Sequence, residues 1–315
     1  MIVVFGSLNA DFFMQVDKLP QPGETVLGGR YFLVPGGKGA NQALAAARAG
    51  DGNQVFMVGK VGKDEWGDFA TSLLREDGAD VTNVGRGETG TACASILVDD
   101  KGENAIAVAS GANLEARADQ VPDDLLGPET WLVLQMEVTA KENWALIARA
   151  KAAGARILLS VAPAAPVPAA TLDQVDILVV NEIEARMVGE AEKIFVEDTA
   201  EIGETLAARH GLTCIVTLGG EGAAAYSPEG ALAVATLPIT PVDTTGAGDA
   251  FAGGLAAALD EGKTLQEALR FAAVAAGLCC TREGTQSSFA RRAEIDARIK
   301  EVLPAQIVGG SGQQG

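Results

Sequence analysis

Val242-Asp243-Thr244-Thr245-Gly246-Ala247-Gly248-Asp249-Ala250-Phe251 is the stretch on which the reading of this chain turns. Residues 236–241 before it are extended and carry two prolines. Residues 250–260 after it are rich in Ala, Gly and Leu, which predicts a buried helix. A glycine turn therefore opens directly into a helix. Gly246 and Gly248 leave backbone N–H groups uncovered, and such groups at a helix N-terminus form an anion site, helped by the helix dipole. Asp249 stands beside that site. A carboxylate next to an anion pocket is costly unless it has a role there. Accepting a proton from a hydroxyl that attacks a phosphoryl group held over the glycines is such a role. Taken alone, a helix-start acid and an ordinary Gly-x-Gly turn account for the same residues, so the rest of the chain must decide.

With 315 residues, 48% hydrophobic and 21% charged, the chain fits one large α/β domain, with or without a small appendage. A net charge of −18 disfavours nucleic acid and anionic membranes as partners, although a local basic pocket could still hold phosphates. Cys93, Cys214, Cys279 and Cys280 form no CxxC pair, so neither a zinc site nor a disulfide framework is indicated. The single histidine, His210, sits at an expected helix end before Gly211, which argues against His-dependent hydrolysis. The first residues lack the basic start of a signal peptide, and no apolar run reaches the ~18 residues of a membrane span. A reducing cytoplasm is the expected setting.

The chain begins with a short apolar strand at residues 2–5, followed by Gly6, Ser7, Leu8, Asn9, Ala10 and Asp11. Polar residues beyond the C-terminal end of a strand are where open α/β sheets hold ligands, and Asn9 and Asp11 alternate onto one face. Strands are expected at 12–16, 25–34, 92–98 and 104–108, the last two as a hairpin, together forming a small separate sheet that covers the main domain. Lids of this kind exclude water during phosphoryl transfer. Pro35-Gly36-Gly37-Lys38-Gly39-Ala40-Asn41-Gln42 precedes an alanine-rich helix. No Ser or Thr follows Lys38, so this is not a Walker A loop, but Lys38, Asn41 and the exposed glycine backbone supply donors for a small ligand.

A helix is expected from Asp64 to about Glu76, and strands at 131–135, 156–160 and 177–180. Glu137 lies just past the first of these strands. Asn181 and Glu184 are three apart at a helix start, where they form either a capping box or an acid placed to hold hydrated magnesium. Thr217-Leu218-Gly219-Gly220-Glu221-Gly222 is a glycine loop on which a nucleotide could lie. Helices are expected at 198–209, 265–281 and 291–302, with a polar loop at 282–288 and a disordered tail at 306–315.

These motifs together resemble the ribokinase group of PfkB-type carbohydrate kinases, in order and over nearly the whole chain. They run from Gly6–Asp11 through Pro22-Gly23-Glu24-Thr25, Gly36–Gln42, Gln135-Met136-Glu137, Asn181–Glu184 and Thr217–Gly220 to Asp243–Asp249. The resemblance implies a three-layer α/β/α sandwich with a mainly parallel central sheet and a small β lid. Residues 1–305 would form one kinase domain, with the lid inserted from about 11–34 and 90–108. It implies transfer of the ATP γ-phosphate to O5 of D-ribose. Asn9, Asp11, Gly37, Lys38, Asn41 and Glu137 would bind the sugar, Asp249 would be the general base, and Gly246, Ala247 and Gly248 the anion hole. Asn181, Thr217, Gly219, Gly220, Gly222 and Gly248 would serve ATP, and Glu184 magnesium. Potassium would sit near Asp243, Thr245, Cys279, Arg282, Gly284 and Ser288, several of them through carbonyls. Homodimers paired through the lid are implied as well.

Ala273 departs from the family, which commonly places Asn or His there near adenine, so loose selection among purine triphosphates is expected. The anion-binding helix start is expected to lower the pKa of Asp249. Kinases of the same family for fructose, 2-keto-3-deoxygluconate or a nucleoside are the alternatives, with a non-catalytic sugar-binding protein behind them. A Rossmann dehydrogenase would need Gly-x-Gly-x-x-Gly after the first strand, and the chain lacks it there.

Overall fold

The computed structural model describes residues 1–101 and 103–308. The first third of the chain forms β1 (Ile2–Phe5), β2 (Asn9–Val16), β3 (Gly28–Gly36), α1 (Lys38–Ala49), β4 (Val55–Val61), α2 (Glu65–Ala70), α3 (Ser72–Glu76), β5 (Val84–Arg86), β6 (Cys93–Asp99) and β7 (Asn104–Ala109). The middle forms β8 (Trp131–Leu134), α4 (Ala140–Ala152), β9 (Arg156–Ser160), α5 (Ala169–Leu172), β10 (Ile177–Asn181), α6 (Glu182–Ala191), α7 (Thr199–His210), β11 (Thr213–Thr217), β12 (Ala223–Ser227) and β13 (Gly230–Val234). The last part forms α8 (Ala247–Asp260), α9 (Leu265–Cys279), α10 (Arg292–Arg298) and β14 (Gln306–Val308).

Ten strands make one sheet in the order β14-β13-β12-β11-β10-β9-β8-β1-β4-β5. Its strands from β11 to β5 pair in parallel, while β12, β13 and β14 add antiparallel. A parallel sheet needs cover on both faces, so its strands read as unbroken apolar runs rather than alternating ones. The side chains still alternate. Ile2 and Val4 join Leu158, Val179 and Ile215 in a core under α1, α8 and α9. Val3 and Phe5 join Leu132, Leu159 and Leu178 in a second core under α4, α6 and α7. Each fully buried Leu, Ile or Phe contributes about 1.5–3 kcal/mol.

On the first face, Ala and Gly let helices approach closely. A Cβ on Gly253 of α8 would come within 2.6 Å of both the Ala45 Cβ and the Gln42 carbonyl oxygen of α1. This contact brings the start of α1 against the start of α8, where the expected site lies. A separate sheet, β3-β2-β6-β7, stands over that end, with β2 parallel to β6 and antiparallel pairs at both edges. It is the expected small sheet: β2 and β7 are longer than anticipated, β6 is of the expected length and β3 is one residue shorter. Among the described residues no helix is long and apolar enough to cross a membrane.

Two expectations are corrected. The helix from Asp64 to Glu76 is broken at Thr71, whose Oγ donates back to the carbonyls of Gly67 and Asp68, both at 3.1 Å. Such back-bonding competes with the helix and favours a bend. The expected tail at 306–315 begins instead as a strand, because Gln306–Val308 pairs with Ala231–Ala233 and caps the antiparallel edge. Residues 309–315 lie outside the described residues.

Candidate active site

The catalytic end of the sheet is assembled where β1 hands over to the lid and α1 begins. Gly39 N–H donates to Ser7 Oγ at 3.1 Å and Ala40 N–H to the Ser7 carbonyl at 2.9 Å, stitching α1 to the end of β1. Glu137 is seated by Ser7 Oγ (2.6 Å) and by the N–H of Lys38 (2.9 Å), the first residue of α1. A carboxylate at that helix start is favoured by the dipole. The first residues of α1 thus hold Glu137 with backbone and leave the Lys38 and Asn41 side chains to face α8.

Asn9 and Asp11 share a face of β2, as their spacing predicts. The Asn9 side-chain oxygen accepts from Asn113 Nδ2 at 2.9 Å, and Asn113 also holds the Leu8 N–H at 3.0 Å. The bond fixes the Asn9 amide so that its Nδ2 is the remaining donor. Asp11 accepts from the Ala94 N–H at 2.9 Å. Burial pushes its carboxyl up to about 6, the Glu137 charge adds to the rise, and the Ala94 and Asn9 bonds only partly oppose it.

Gly246 caps α8 with φ 81°, a left-handed conformation that glycine adopts without strain. A side chain there would also press the Thr285 methyl, 2.6 Å from a Cβ. The Ala247 N–H donates to the Thr244 carbonyl at 3.2 Å. Helix geometry gives the N–H groups of Gly248 and Asp249 no acceptor in the preceding turn. N–H groups without a helical acceptor therefore lie two and three residues beyond Gly246, the turn that opens the helix.

Asp249 is buried and makes no capping bond. Its Oδ2 accepts from Asn41 Nδ2 at 2.8 Å and its Oδ1 from Gln42 Nε2 at 2.9 Å. The expected fall in its pKa is overturned. Burial raises it, and the Lys38 charge and the two amide donors do not cancel that rise. Desolvation of a carboxylate away from bulk water outweighs the dipole of one helix turn here, and Asp249 is the stronger base for it. Burial alone would lower the pKa of Lys38, but the charges of Asp249, Glu137 and Glu184 overcome it and hold the ammonium above the ordinary lysine range.

A cavity of about 150 Å³ is lined by Lys38, Ser160, Val180, Asn181, Glu184, Thr217, Gly246, Gly248 and Asp249. It adjoins, through Thr217 and Gly248, a second cavity of about 130 Å³ bounded by Gly219, Gly222, Thr236, Ala247, Phe251, Ala273 and Ala276. Gly220 joins the same loop on its outer side, beside Thr244 and Cys280. Asn181 and Glu184 form the capping box: Asn181 Oδ1 accepts from the Glu184 N–H and Glu184 Oε2 from the Asn181 N–H, both at 2.8 Å. Their side chains thus serve backbone rather than each other, yet both border the cavity. Burial raises the Glu184 carboxyl against the pull of the Asn181 bond and Lys38.

The residues matched to potassium also converge. Asp243 accepts from the N–H groups of Thr245 (2.9 Å) and Gly284 (3.0 Å). Burial opposes its ionisation, but these donors more than offset it and hold its pKa low. Cys279 Sγ lies 3.1 Å from Ser288 Oγ and 3.5 Å from the Thr245 carbonyl. Burial pushes this thiol up to about 12, so it is a neutral packing group, not a thiolate. The Arg282 guanidinium is turned away to pair with Glu294, leaving its backbone on this side.

Three glutamines passed over as functional residues in the sequence are drawn in. Gln42, Gln135 and Gln286 all connect to Asp249, directly or through one neighbour. Gln42 and Gln135 stand inside quoted motifs, where a polar residue in an otherwise apolar run was the available signal. Gln286 lies in a loop that carried none.

The pfkB family of carbohydrate kinases matches residues 1–292. The ribokinase of Bacillus subtilis is 37% identical over 300 residues, covering 94% of this chain and 98% of its own length. The crystal structure of a Thermotoga maritima ribokinase superposes with a TM-score of 0.89 at 31% identity, covering 95% of this chain and 99% of that one. The ribokinase of Arabidopsis thaliana in complex with ribose and ATP gives 0.84 at 30% identity, covering 95% and 98%. With its α/β/α layers, its lid and its motif residues gathered at one sheet end, this chain belongs to the PfkB family of carbohydrate kinases and is an ATP-dependent sugar kinase.

Proposed function

We propose that the protein transfers the γ-phosphoryl group of ATP to O5 of D-ribose, with Asp249 as general base. One observation carries this reading: the Asp249 carboxylate opens on the same cavity as Lys38, Glu184 and the Gly248 end of the α8 turn. The sugar would be held by Asn9, Asp11, the Gly37 backbone, Lys38, Asn41 and Glu137, with its reacting hydroxyl toward Asp249. A base raised by burial accepts the hydroxyl proton as the alcohol oxygen turns toward phosphorus, and a loose transition state lets that transfer come late. The N–H groups of Gly248 and Asp249, with Lys38, face the charge on the migrating phosphoryl oxygens. The Thr217–Gly222 loop, Ala273 and Ala276 would border the nucleoside of ATP, and Asn181 its phosphates.

Magnesium suits Glu184, a carboxylate on the phosphate side of the cavity, where the metal would neutralise phosphate charge. Potassium suits the turn around the Asp243 carboxylate, where Thr245, Cys279, Gly284 and Ser288 would supply backbone carbonyls and the Arg282 charge is paired with Glu294 instead. The four cysteines are free, as a reducing cytoplasm would keep them. Pentose is favoured over nucleoside by the lid aromatics. Phe13 stacks on Phe32 at 5.2 Å and Phe12 meets the Trp66 edge at 5.5 Å, which spends the rings that a base would need.

A coupled ADP-release assay tests the reading, run over pentoses, hexoses and nucleosides with magnesium, with and without potassium. Ribose-dependent ADP release well above all other acceptors is the expected outcome, and a hexose or nucleoside preferred over ribose overturns the sugar assignment. Because Ala273 is a buried methyl between Phe251 and Ala276 in that wall, GTP should replace ATP with no more than about a tenfold loss of kcat/KM, less than a polar partner to adenine would impose.

A further inference from the structure

We propose that Gln286 is a positioning residue for the base, acting through Asn41, and that it ties the orientation of the Asp249 carboxylate to the turn at residues 285–288. The inference rests on the reading of Asp249 as general base.

The two oxygens of Asp249 are held by two amides, and each amide is itself held by a glutamine. Gln286 Nε2 donates to Asn41 Oδ1 at 3.0 Å, and Asn41 Nδ2 donates onward to Asp249 Oδ2 at 2.8 Å. Gln135 Nε2 donates to Gln42 Oε1 at 2.8 Å, and Gln42 Nε2 donates onward to Asp249 Oδ1 at 2.9 Å. Gln42, Gln135 and Gln286 are each 1% exposed or less. Two relays therefore converge on one carboxylate, each running donor to acceptor toward the charge. Bonds in such a chain polarise one another in surroundings where water does not compete.

A primary amide is nearly symmetrical in shape but not in polarity, since one end donates and the other accepts. If Asn41 turned over, it would set an oxygen against the carboxylate. What prevents that is the donor on its other side, Gln286. Among the described residues the Oε1 atoms of Gln286 and Gln135 have no hydrogen-bond partner, so each glutamine is oriented by what its Nε2 does.

The backbone of Gln286 is anchored independently. Arg48 of α1 donates to the Gln286 carbonyl and, at 3.4 Å, to that of Phe289, while its Nε pairs with the buried Asp77 at 2.7 Å. On the other side of the turn Ser288 bonds Cys279, and Thr285 presses the Gly246 position that opens the anion cradle. One short turn thus touches the cradle through Thr285 and the base through Gln286. A shift of that turn would disturb both at once.

The experiment compares Gln286→Met, which keeps the volume and removes the donor, with Gln286→Glu, which keeps the shape and reverses the polarity. Gln286→Met should lower kcat about tenfold with the ATP KM unchanged, the scale of one lost bond in a charged network. Gln286→Glu should lose more than Gln286→Met, because it would turn Asn41 over. A role in packing alone predicts the reverse order, with the isosteric Glu the milder. In an Asn41→Ala background the effect of Gln286→Met should vanish, since residues acting in series are non-additive. The side-chain amide NMR signal of Asn41, assigned by its loss in Asn41→Ala, should shift in Gln286→Met and reports the relay without turnover.

Wild-type kcat in Gln286→Met, an equal loss in both backgrounds, or an unmoved Asn41 signal overturns the proposal. Melting temperatures show whether either variant has lost its fold, in which case the other carries the test. Absence of sugar-dependent turnover in the unaltered enzyme would instead sink the parent reading, and the Asn41 signal would still decide the relay.

Discussion

The two sheets of this molecule are built to opposite rules. In the ten-stranded sheet the central strands are covered on both faces, and β1 is buried at every position. In the four-stranded lid apolar side chains stand bare: Val108 is 61% exposed and Ile106 56% on one face, and Tyr31 70% on the other. The helices on the first sheet hold the Asp249 carboxylate between two buried amides. The second has far less cover. The groups proposed for catalysis therefore belong to the ends of the covered sheet and its helices, whereas Asn9 and Asp11 sit on β2, where the covered region passes into the lid. Substitutions on the covered side should strike kcat or folding, and those toward the lid should strike binding or assembly.

The largest effect is expected at Asp249. Asp249→Asn keeps the size of the side chain and removes the proton acceptor, and kcat should fall by at least about a hundredfold with sugar binding nearly intact. Calorimetric titration with ribose beside steady-state rates makes the check. Turnover close to wild type would take Asp249 out of its role and blur the distinction between the sheets.

Next comes the contact that brings the site together. Gly253→Val would drive methyl groups into Ala45 and the Gln42 carbonyl, already 2.6 Å from a Cβ at that position. Overpacking of this kind should cost about 1–3 kcal/mol, read from urea unfolding. The same substitution at Gly29 of the lid, where a Cβ would meet nothing within 4 Å, should leave unfolding unchanged.

At the junction, Asp11 gives a pH signature. Its carboxyl is pushed up to about 6 by burial and by Glu137. The ionised form accepts hydroxyl donors fully, and the protonated form gives up part of that capacity. As pH falls below about 6, the ribose KM should therefore rise, by up to about tenfold per unit well below that value. Asp11→Asn should remove the dependence while raising KM at neutral pH. A ribose KM flat from pH 5 to 8 would show that Asp11 does not hold the sugar.

Much of this arrangement could be read from the residues beforehand. The apolar runs of β1, β8 and β10 announce a sheet covered on both faces. The turn at Gly246 followed by an Ala-rich helix announces the helix start that carries Asp249. What stayed hidden depends on neighbours distant along the chain. Gln286 meets Asn41 across 245 positions, and no local pattern encodes that pairing. The sign of the Asp249 shift failed for the same reason: the helix start is visible in the sequence, but the burial that outweighs it comes from α1. Gln306–Val308 looked like a tail because three residues before a glycine-rich end form a strand only when β13 offers an edge. Thr71 interrupts its helix through a back-bond that a residue count does not distinguish from an ordinary helical threonine.

The smallest effect on turnover is expected where the lid is barest. Val108 and Ile106 lie on β7, an edge strand, and the exposed Phe32 lies on the same face of β3, the opposite edge. Apolar side chains spread from edge to edge of one face suit another apolar surface rather than water. A second lid is such a surface, which is the physical ground for proposing a homodimer paired there. Ile106→Glu would place a charge in that face, on the edge strand two strands away from Asp11. A surface substitution of this kind should change the stability of an isolated chain by less than about 0.5 kcal/mol. It should nonetheless convert a dimer to a monomer in sedimentation velocity, because a buried unpaired carboxylate is costly at an interface. The accompanying loss of kcat should stay within about twofold, since Asp249 and the turn before it lie outside the lid. If the unaltered protein sediments as a monomer, or if Ile106→Glu remains a dimer, the exposed face of the lid is not where two chains meet.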